Sequence, residues 1–201
     1  MTKSKTEQME KIKEEILDLK KSPLYPERVK NKVFPVIGAG SHNAQIMFVG
    51  EAPGKNEAQT GQPFWGASGK VLDELLESIS LKREDVYITN IVKDRPTANR
   101  DPSQEEIKIY GPFLDRQIEI IQPQIIATLG RYSAEYIMKK FDLDLEIETI
   151  GKMRGKIFKA QSSYGEIKII PLLHPAVALY NSFSRDDLKQ DFKSLNNSTT
   201  K

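Results

Sequence analysis

The chain has 201 residues, a length that suits one domain with a substantial buried core. Hydrophobic residues make up 38% and charged residues 29%, which is typical of a globular protein, and no apolar run has the roughly 20 residues of a membrane span. The formal net charge of +2 does not by itself indicate a polyanionic partner. Because there is no cysteine, disulfides, thiolate metal sites and a cysteine nucleophile are excluded.

Apolar periodicity predicts an amphipathic helix over residues 6–20, which Pro23 and Pro26 end. Later helices are predicted after Ser68, after a capping box formed by Ser103 and Glu106, over residues 132–140 and over residues 186–195. Short apolar runs predict strands over residues 45–49, 86–92, 125–129, 156–160 and 167–173.

Strands that alternate with helices favour a parallel sheet covered on both faces, the three-layer α/β/α arrangement. No repeat or linker divides the chain, so we expect one domain over residues 1–195 and a disordered tail over residues 196–201. The N-terminus has no apolar segment after its charges and is not a secretory signal. We therefore expect an intracellular, cytoplasmic protein that does not enter membranes, with a monomer as the default state.

Polar residues collect where the predicted strands end. The first strand is followed by Gly50-Glu51-Ala52-Pro53-Gly54, Asn90 lies at the end of the second, and His174 follows the last. Ligands of open α/β sheets bind beyond the carboxyl ends of the strands, so these groups are expected to meet at one edge. Each also has a plainer interpretation: the glycine-rich segment as a turn, Asn90 as a strand-end amide, and His174 as a structural side chain.

Three blocks of sequence together carry a resemblance. Residues 49–54 and 61–66 (VGEAPG and GQPFWG), residues 87–93 with 95–96 and 99–102 (YITNIVK, RP and NRDP), and residues 172–176 (LLHPA) are similar in order and spacing to the family 4 uracil-DNA glycosylases. The resemblance extends from about residue 15 to residue 193. It implies a four-stranded parallel sheet between helices. It also implies an enzyme that removes uracil from DNA without a catalytic metal and leaves an abasic site.

The resemblance implies a role for each pocket residue. Gly50, Ala52 and Gly54 would form a wall of the uracil pocket, and Phe64 would stack on the flipped base. Asn90 would bind the O4 and N3 edge, and Glu57 would lie at the C5 edge, where it would exclude the methyl group of thymine. His174 would donate a hydrogen bond to uracil O2 as negative charge develops on the base.

The water-activating group is left open by the sequence. Better-known uracil glycosylases carry an aspartate where this chain has Ala52, a small residue that is characteristic of family 4. Glu51 would stabilise the cationic sugar or position the attacking water, and Asn99 or backbone groups are the alternatives.

DNA contacts are expected around this pocket. Leu179 or Tyr180 would fill the gap that the flipped base leaves, and basic side chains would contact phosphates. The candidates are Lys55, Lys70, Arg95, Arg100 and Arg185. For each, an ordinary solvated surface charge is the alternative. The expected partner is uracil-containing DNA, either single- or double-stranded.

The family usually holds an iron–sulfur cluster on four cysteines, and this chain has none. The corresponding positions fall at Leu19, Ser22, Asp94 and Tyr110, so no cluster is expected. Packing between Leu19 and Tyr110, with a pair between Asp94 and Lys20 or Lys21, is expected in its place. Other interpretations are a glycosylase for hypoxanthine or xanthine, a catalytically weak binder of uracil-containing DNA, and a nucleotide-binding α/β domain.

Overall fold

The computed structural model describes residues 3–180 and 183–196, and the side chains of residues 183 and 184 are not described. Its strands are β1 (Ala39–Gly40), β2 (Ile46–Gly50), β3 (Tyr87–Asn90), β4 (Ile125–Leu129), β5 (Phe158–Ser162) and β6 (Gly165–Leu172). Its helices are α1 (Lys5–Leu17), α2 (Tyr25–Asn31), α3 (Lys55–Thr60), α4 (Ala67–Ser78), α5 (Gln104–Ile121), α6 (Arg131–Lys140), α7 (Ile150–Met153), α8 (Val177–Tyr180) and α9 (Phe183–Asn196).

The strands of the described residues form one six-stranded sheet in the order β1-β3-β2-β4-β6-β5. The four inner strands are parallel, and β1 and β5 pair antiparallel at the two edges. The predicted four-stranded parallel sheet is therefore confirmed, with two edge strands added to it. β5 corresponds to the strand predicted over residues 156–160, whereas β1 has only two residues and gave no periodic signal.

Two apolar clusters cover the two faces of the sheet. Alternate residues of β2 divide between them, since Met47 and Val49 belong to one cluster while Ile46 and Phe48 belong to the other. The first cluster contains apolar residues of α1, α5 and α6, and the second contains those of α4 and α9. The sheet thus lies between two helical layers, which is the predicted three-layer arrangement.

The starts of two helices test the N-caps that the sequence predicted. The capping box of Ser103 and Glu106 opens α5 as predicted. Ser68 does not cap α4, because the helix begins at Ala67 and Gly66 is its N-cap. Gly66 has a φ of 155°, a conformation that other residues rarely adopt.

Four short helices, α2, α3, α7 and α8, were not predicted. Pro26 was expected only to end the first helix, but it lies in the first turn of α2, where proline favours a helix start. α3 has only 6 residues, too few for a visible periodicity. Among the described residues no helix is long and apolar enough to cross a membrane. The tail predicted over residues 196–201 lies outside the described residues, except for Asn196, which ends α9.

Candidate active site

A cavity of about 530 Å³ lies at the carboxyl ends of the parallel strands. It is lined by Glu51, Ala52, Gly54, Glu57, Phe64, Ser68, Asn90, Asn99, Asp101, His174, Ala176 and Tyr180. The three segments that follow β2, β3 and β6 therefore meet at one edge of the sheet, as the topology requires. The cavity brings together Glu51, Asn90 and His174.

Gly50 is fixed at this edge by the pairing of two strands. It is the register partner of Asn90, and its carbonyl accepts a hydrogen bond from Ile91 N at 3.0 Å. A methyl group on its Cα would lie 2.2 Å from Asn90 Oδ1 and 2.9 Å from Phe64 Cζ. Only glycine leaves the space in which the amide and the aromatic ring face the cavity.

Asn90 is 2% exposed, and the buried side chain of Lys93 holds its backbone. Lys93 Nζ donates to the Asn90 carbonyl at 2.6 Å, to Thr89 Oγ1 at 2.7 Å and to Gln117 Oε1 at 2.6 Å. All three ammonium protons thus have an acceptor, while burial lowers the pKa of Lys93 well below its usual range. These hydrogen bonds of Lys93 hold the backbone of Asn90, so the side-chain amide of Asn90 has a defined position.

Phe64 forms an aromatic wall of the cavity in a left-handed backbone conformation, with a φ of 51°. Its ring lies 5.5 Å from the His174 ring, with 28° between the planes. Arg83 holds the strained loop by donating to the carbonyls of Pro63 at 3.0 Å and of Phe64 at 2.8 Å. Gly69 permits this close approach, because a Cβ there would lie 1.8 Å from the Phe64 carbonyl oxygen.

His174 is held in one tautomer. The backbone N–H of Ala176 donates to His174 Nδ1 at 3.2 Å, so Nδ1 is an acceptor and the proton of the neutral ring is on Nε2. Burial lowers the pKa of His174 to about 4, so the ring is neutral near pH 7. The site therefore presents a neutral imidazole whose Nε2–H is available as a donor.

Glu51 has the properties of a group that exchanges protons near neutral pH. Burial and the negative charge of Asp101 raise its pKa to about 7, while Arg131 acts in the opposite direction. The backbone carbonyl of Glu51 accepts from Val92 N at 3.0 Å, which fixes the residue beyond the end of β2. Its carboxylate forms no hydrogen bond with the residues that the structure describes, and so it is available to a ligand or a water molecule.

The remaining predicted pocket residues also line the cavity. Glu57 Oε1 accepts from the backbone N–H of Trp65 at 3.1 Å, which links α3 to the loop that carries Phe64. A Cβ at Gly54 would lie 2.7 Å from Glu57 Oε2, so this glycine gives the carboxylate its space. Asn99 has a φ of 55°, and its Oδ1 accepts from Arg95 Nε at 2.7 Å.

The predicted DNA-contacting residues divide into two groups. Tyr180 is 91% exposed at the cavity, the adjacent Leu179 is also exposed, and Lys55 and Lys70 lie on the surface. Arg100 and Arg185, by contrast, are engaged in ion pairs, the first with the buried Glu106 and the second with Glu74.

The positions that align with the cluster cysteines are linked to each other by hydrogen bonds. Tyr110 Oη lies 2.7 Å from Ser22 Oγ and 2.6 Å from Asp94 Oδ2, and Arg28 Nη1 donates to both Asp94 oxygens at 3.0 and 3.1 Å. We call Ser22, Arg28, Asp94 and Tyr110 the polar network; Leu19 is buried in the same region. The expected partner of Asp94 was wrong, because Lys20 pairs with the exposed Asp18 and Lys21 is exposed.

These residues do not fit an iron–sulfur cluster. Such clusters are held by thiolates, whereas the polar network offers hydroxyl and carboxylate oxygens that already bond one another. Among the described residues, no group of three or more histidine, aspartate or glutamate side chains is placed to hold a metal ion.

Comparison with known proteins agrees with this geometry. The family model for the uracil DNA glycosylase superfamily matches residues 37–198. The chain belongs to this superfamily. The type-4 uracil-DNA glycosylase of Archaeoglobus fulgidus is 44% identical over 189 residues, which cover 94% of this chain and 92% of the relative. The type-4 enzyme of Sulfurisphaera tokodaii is 47% identical, covering 93% and 83%, and that of Saccharolobus solfataricus is 51% identical, covering 80% and 74%.

The structure gives roles to four residues that the sequence analysis did not single out. Asp101 and Lys93 lie within the motif blocks, so the motifs are the signal that could have indicated them. Arg83 and Arg28 act at a distance along the chain from the groups they hold, and no local pattern marks them. Their roles became visible only from the contacts of their guanidinium groups.

Proposed function

We propose that this chain is a uracil-DNA glycosylase that flips uracil out of DNA and hydrolyses its N-glycosidic bond, leaving an abasic site for base-excision repair. The observation that carries the proposal is one cavity with three features: the Phe64 ring, the Asn90 amide and the Nε2–H of a neutral His174. Together these suit a flat ligand with an imide edge and a carbonyl at which charge develops.

The base is read by its polar edge. The Asn90 amide donates to uracil O4 and accepts from N3–H, which satisfies both groups at once. Cytosine presents an amino group and an unprotonated N3, and so would leave buried groups unpaired at about 1–3 kcal/mol each. Glu57 is proposed to lie at the C5 edge, where it excludes the methyl group of thymine.

The chemistry needs stabilisation of two opposite charges. When the bond between C1′ and N1 breaks, its electron pair goes to the uracil ring and positive charge develops on the sugar. The His174 Nε2–H donates to O2 of the departing anion, an interaction that is stronger in the transition state than in the ground state. Water then bonds to C1′ and transfers a proton to Glu51.

We assign Glu51 rather than Asn99 to the water. Asn99 Oδ1 already accepts from Arg95, whereas the Glu51 carboxylate has no such partner among the described residues. Its pKa of about 7 also lets it take a proton from water near neutral pH and release it again. Ala52 supplies no acid of its own, so it is proposed to shape the pocket only.

The DNA is proposed to lie across the cavity entrance. Tyr180 or Leu179 would occupy the gap left by the flipped base, and Lys55 and Lys70 would contact phosphates. Arg100 and Arg185 are weaker candidates, because their guanidinium groups already have carboxylate partners. Because the proposed substrate is DNA, we infer that the protein acts in the cytoplasm, at the nucleoid. A monomer is proposed as its default state.

The polar network is proposed to do the structural work of the family's cluster. It links Arg28 of α2 to Asp94 after β3 and to Tyr110 of α5, so the N-terminal segment is joined to the body of the fold. Arg28 also donates to the carbonyls of Ile16 and Leu17, at 3.0 and 2.6 Å, and so holds the end of α1. We infer that the enzyme works without a cluster.

A strand-scission assay tests the proposal. Labelled single- and double-stranded oligonucleotides that carry one uracil are incubated with the protein and then treated with alkali, which cleaves at abasic sites. Scission at the uracil is expected, and His174→Ala should lose most of it. Absence of scission in every uracil context would refute the proposed function.

A further inference from the structure

Trp65 is the only tryptophan of the chain, and the residue is 55% exposed. Its neighbour Phe64 is 5% exposed and faces the catalytic cavity. The same loop therefore turns one aromatic ring into the pocket and leaves a larger one at the surface. Tryptophan is a highly buried residue on average, so this exposure needs an explanation.

The exposure of Trp65 does not come from a loosely held loop. Its backbone N–H donates to Glu57 Oε1 at 3.1 Å, and the carbonyl of the preceding residue accepts from Arg83 Nη2 at 2.8 Å. Arg83 is itself paired with Asp73 of α4. The backbone that carries the indole is thus fixed from two sides, and the indole is presented at little cost in conformational entropy.

Trp65 borders a second cavity of about 570 Å³. Phe64 borders both this cavity and the catalytic one, so the two are neighbours across a single ring. The volume lies within the roughly 300–1,000 Å³ typical of small-molecule sites. Asn56 and Gln59 supply amide groups to the second cavity, and Lys70 supplies a cation that forms no ion pair with the described residues.

We propose that this cavity is a second nucleobase site, in which a base flanking the uracil in single-stranded DNA stacks on the Trp65 indole while Lys70 contacts a neighbouring phosphate. The proposal rests on the proposed function, which supplies DNA as the ligand. Stacking on an aromatic side chain tolerates any base, because every base has a π-face. In a duplex the flanking bases remain stacked on each other, so the site favours a single strand.

The single tryptophan reports on its own site. Its fluorescence is titrated with a single-stranded oligonucleotide that contains no uracil, and with the duplex of the same sequence. We expect saturable quenching by the single strand at concentrations where the duplex gives little. Unchanged fluorescence at saturating single-stranded DNA, with binding confirmed by anisotropy of a labelled oligonucleotide, would overturn the proposal.

Kinetics on uracil substrates provide a second measurement. Trp65→Ala is expected to raise KM for single-stranded substrate by roughly 5- to 150-fold, with kcat unchanged, and Trp65→Phe to restore much of the loss. Phe34→Ala is the matched control, since Phe34 is 57% exposed but borders a different cavity, and its KM should not change. An unchanged KM in Trp65→Ala, or an equal increase on the duplex, contradicts a single-strand base site.

The experiments test the proposed function and the second nucleobase site independently of each other. If the unaltered chain releases no uracil, the proposed function is wrong, while the quenching by uracil-free DNA still decides the second site. Because Trp65 is exposed, its substitution is not expected to unfold the protein, and the thermal midpoint of each variant confirms this.

Discussion

The candidate active-site cavity and the polar network both bring polar side chains together, but they differ in how their hydrogen bonds are used. In the polar network, Tyr110 lies between Ser22 and Asp94, and Asp94 in turn accepts from Arg28. In the cavity, the Glu51 carboxylate and the His174 Nε2–H have no partner among the described residues. The first arrangement stabilises a fold, whereas the second keeps its polar groups available for a substrate.

This contrast predicts that substitutions in the two regions separate stability from activity. Variants of the polar network should unfold more easily but turn over normally while folded. Variants of the cavity should fold normally but lose turnover.

The largest expected effect is on stability, from Asp94→Ala. The substitution leaves the guanidinium of Arg28, which is 6% exposed, buried without its carboxylate, and it removes a partner of Tyr110. We expect the free energy of unfolding to fall by about 3–5 kcal/mol, measured by urea denaturation. Glu84→Ala breaks an exposed pair with Lys82 and serves as the control, with an expected change below about 1 kcal/mol.

The pair of Arg28 and Asp94 also allows a test of why Asp94→Ala destabilises the protein. Burial raises the pKa of Asp94 although Tyr110 and Arg28 act against this, so the charged pair carries a desolvation cost. Replacing both charges, as in Arg28→Met with Asp94→Leu, should therefore restore much of the stability that Asp94→Ala loses. A double variant as unstable as the single one would show that the lost hydrogen bonds, and not the unpaired charge, cause the destabilisation.

In the cavity, Gly50→Ala should abolish most activity without unfolding the protein. The new methyl group would overlap Asn90 Oδ1 and the Phe64 ring, and so displace the groups that read the base. We expect kcat/KM for uracil release to fall at least about 100-fold, as for loss of one transition-state donor. Gly151→Ala is the matched control, because nothing lies within 4 Å of the added methyl group, and its activity should be unchanged.

The dependence of activity on pH should reflect the ionisation of the Glu51 carboxyl group. If its carboxylate takes the proton from water, kcat/KM rises with pH through an apparent pKa of about 7 and falls about tenfold per unit below it. Removing the nearby negative charge in Asp101→Asn should move this limb to lower pH, and Arg131→Gln should move it to higher pH. Shifts in the same direction for both variants would remove Glu51 from the assignment.

A further expected effect is a gain in stability from Glu51→Gln. Because folding raises the pKa of Glu51 from 4.5 to about 7, the unaltered chain loses stability as pH rises through this range. The variant should therefore have a higher thermal midpoint than the unaltered chain at pH 8 and an equal one at pH 4, although it is inactive. Equal midpoints at pH 8 would mean that the cavity does not disfavour the carboxylate.

The sequence predicted the cavity better than the polar network, for a physical reason. Gly50 and Asn90 end their strands and His174 follows the end of a third, and the topology of a parallel sheet brings strand ends together whatever the details of packing. Arg28 reaches Asp94 from α2, a short helix that gave no periodic signal, so the pairing of Asp94 with Lys20 or Lys21 was expected instead. Side-chain reach across separate elements is not encoded in local spacing.

The most direct test of the central claim is the identity of the released base. Four otherwise identical oligonucleotides, with uracil, cytosine, thymine or hypoxanthine at one position, are incubated with the protein, and the free bases are quantified by mass spectrometry. The account predicts release of uracil and of none of the other three at a comparable rate, with Asn90→Asp gaining release of cytosine. Release of hypoxanthine as fast as uracil, or of no base at all, would contradict it.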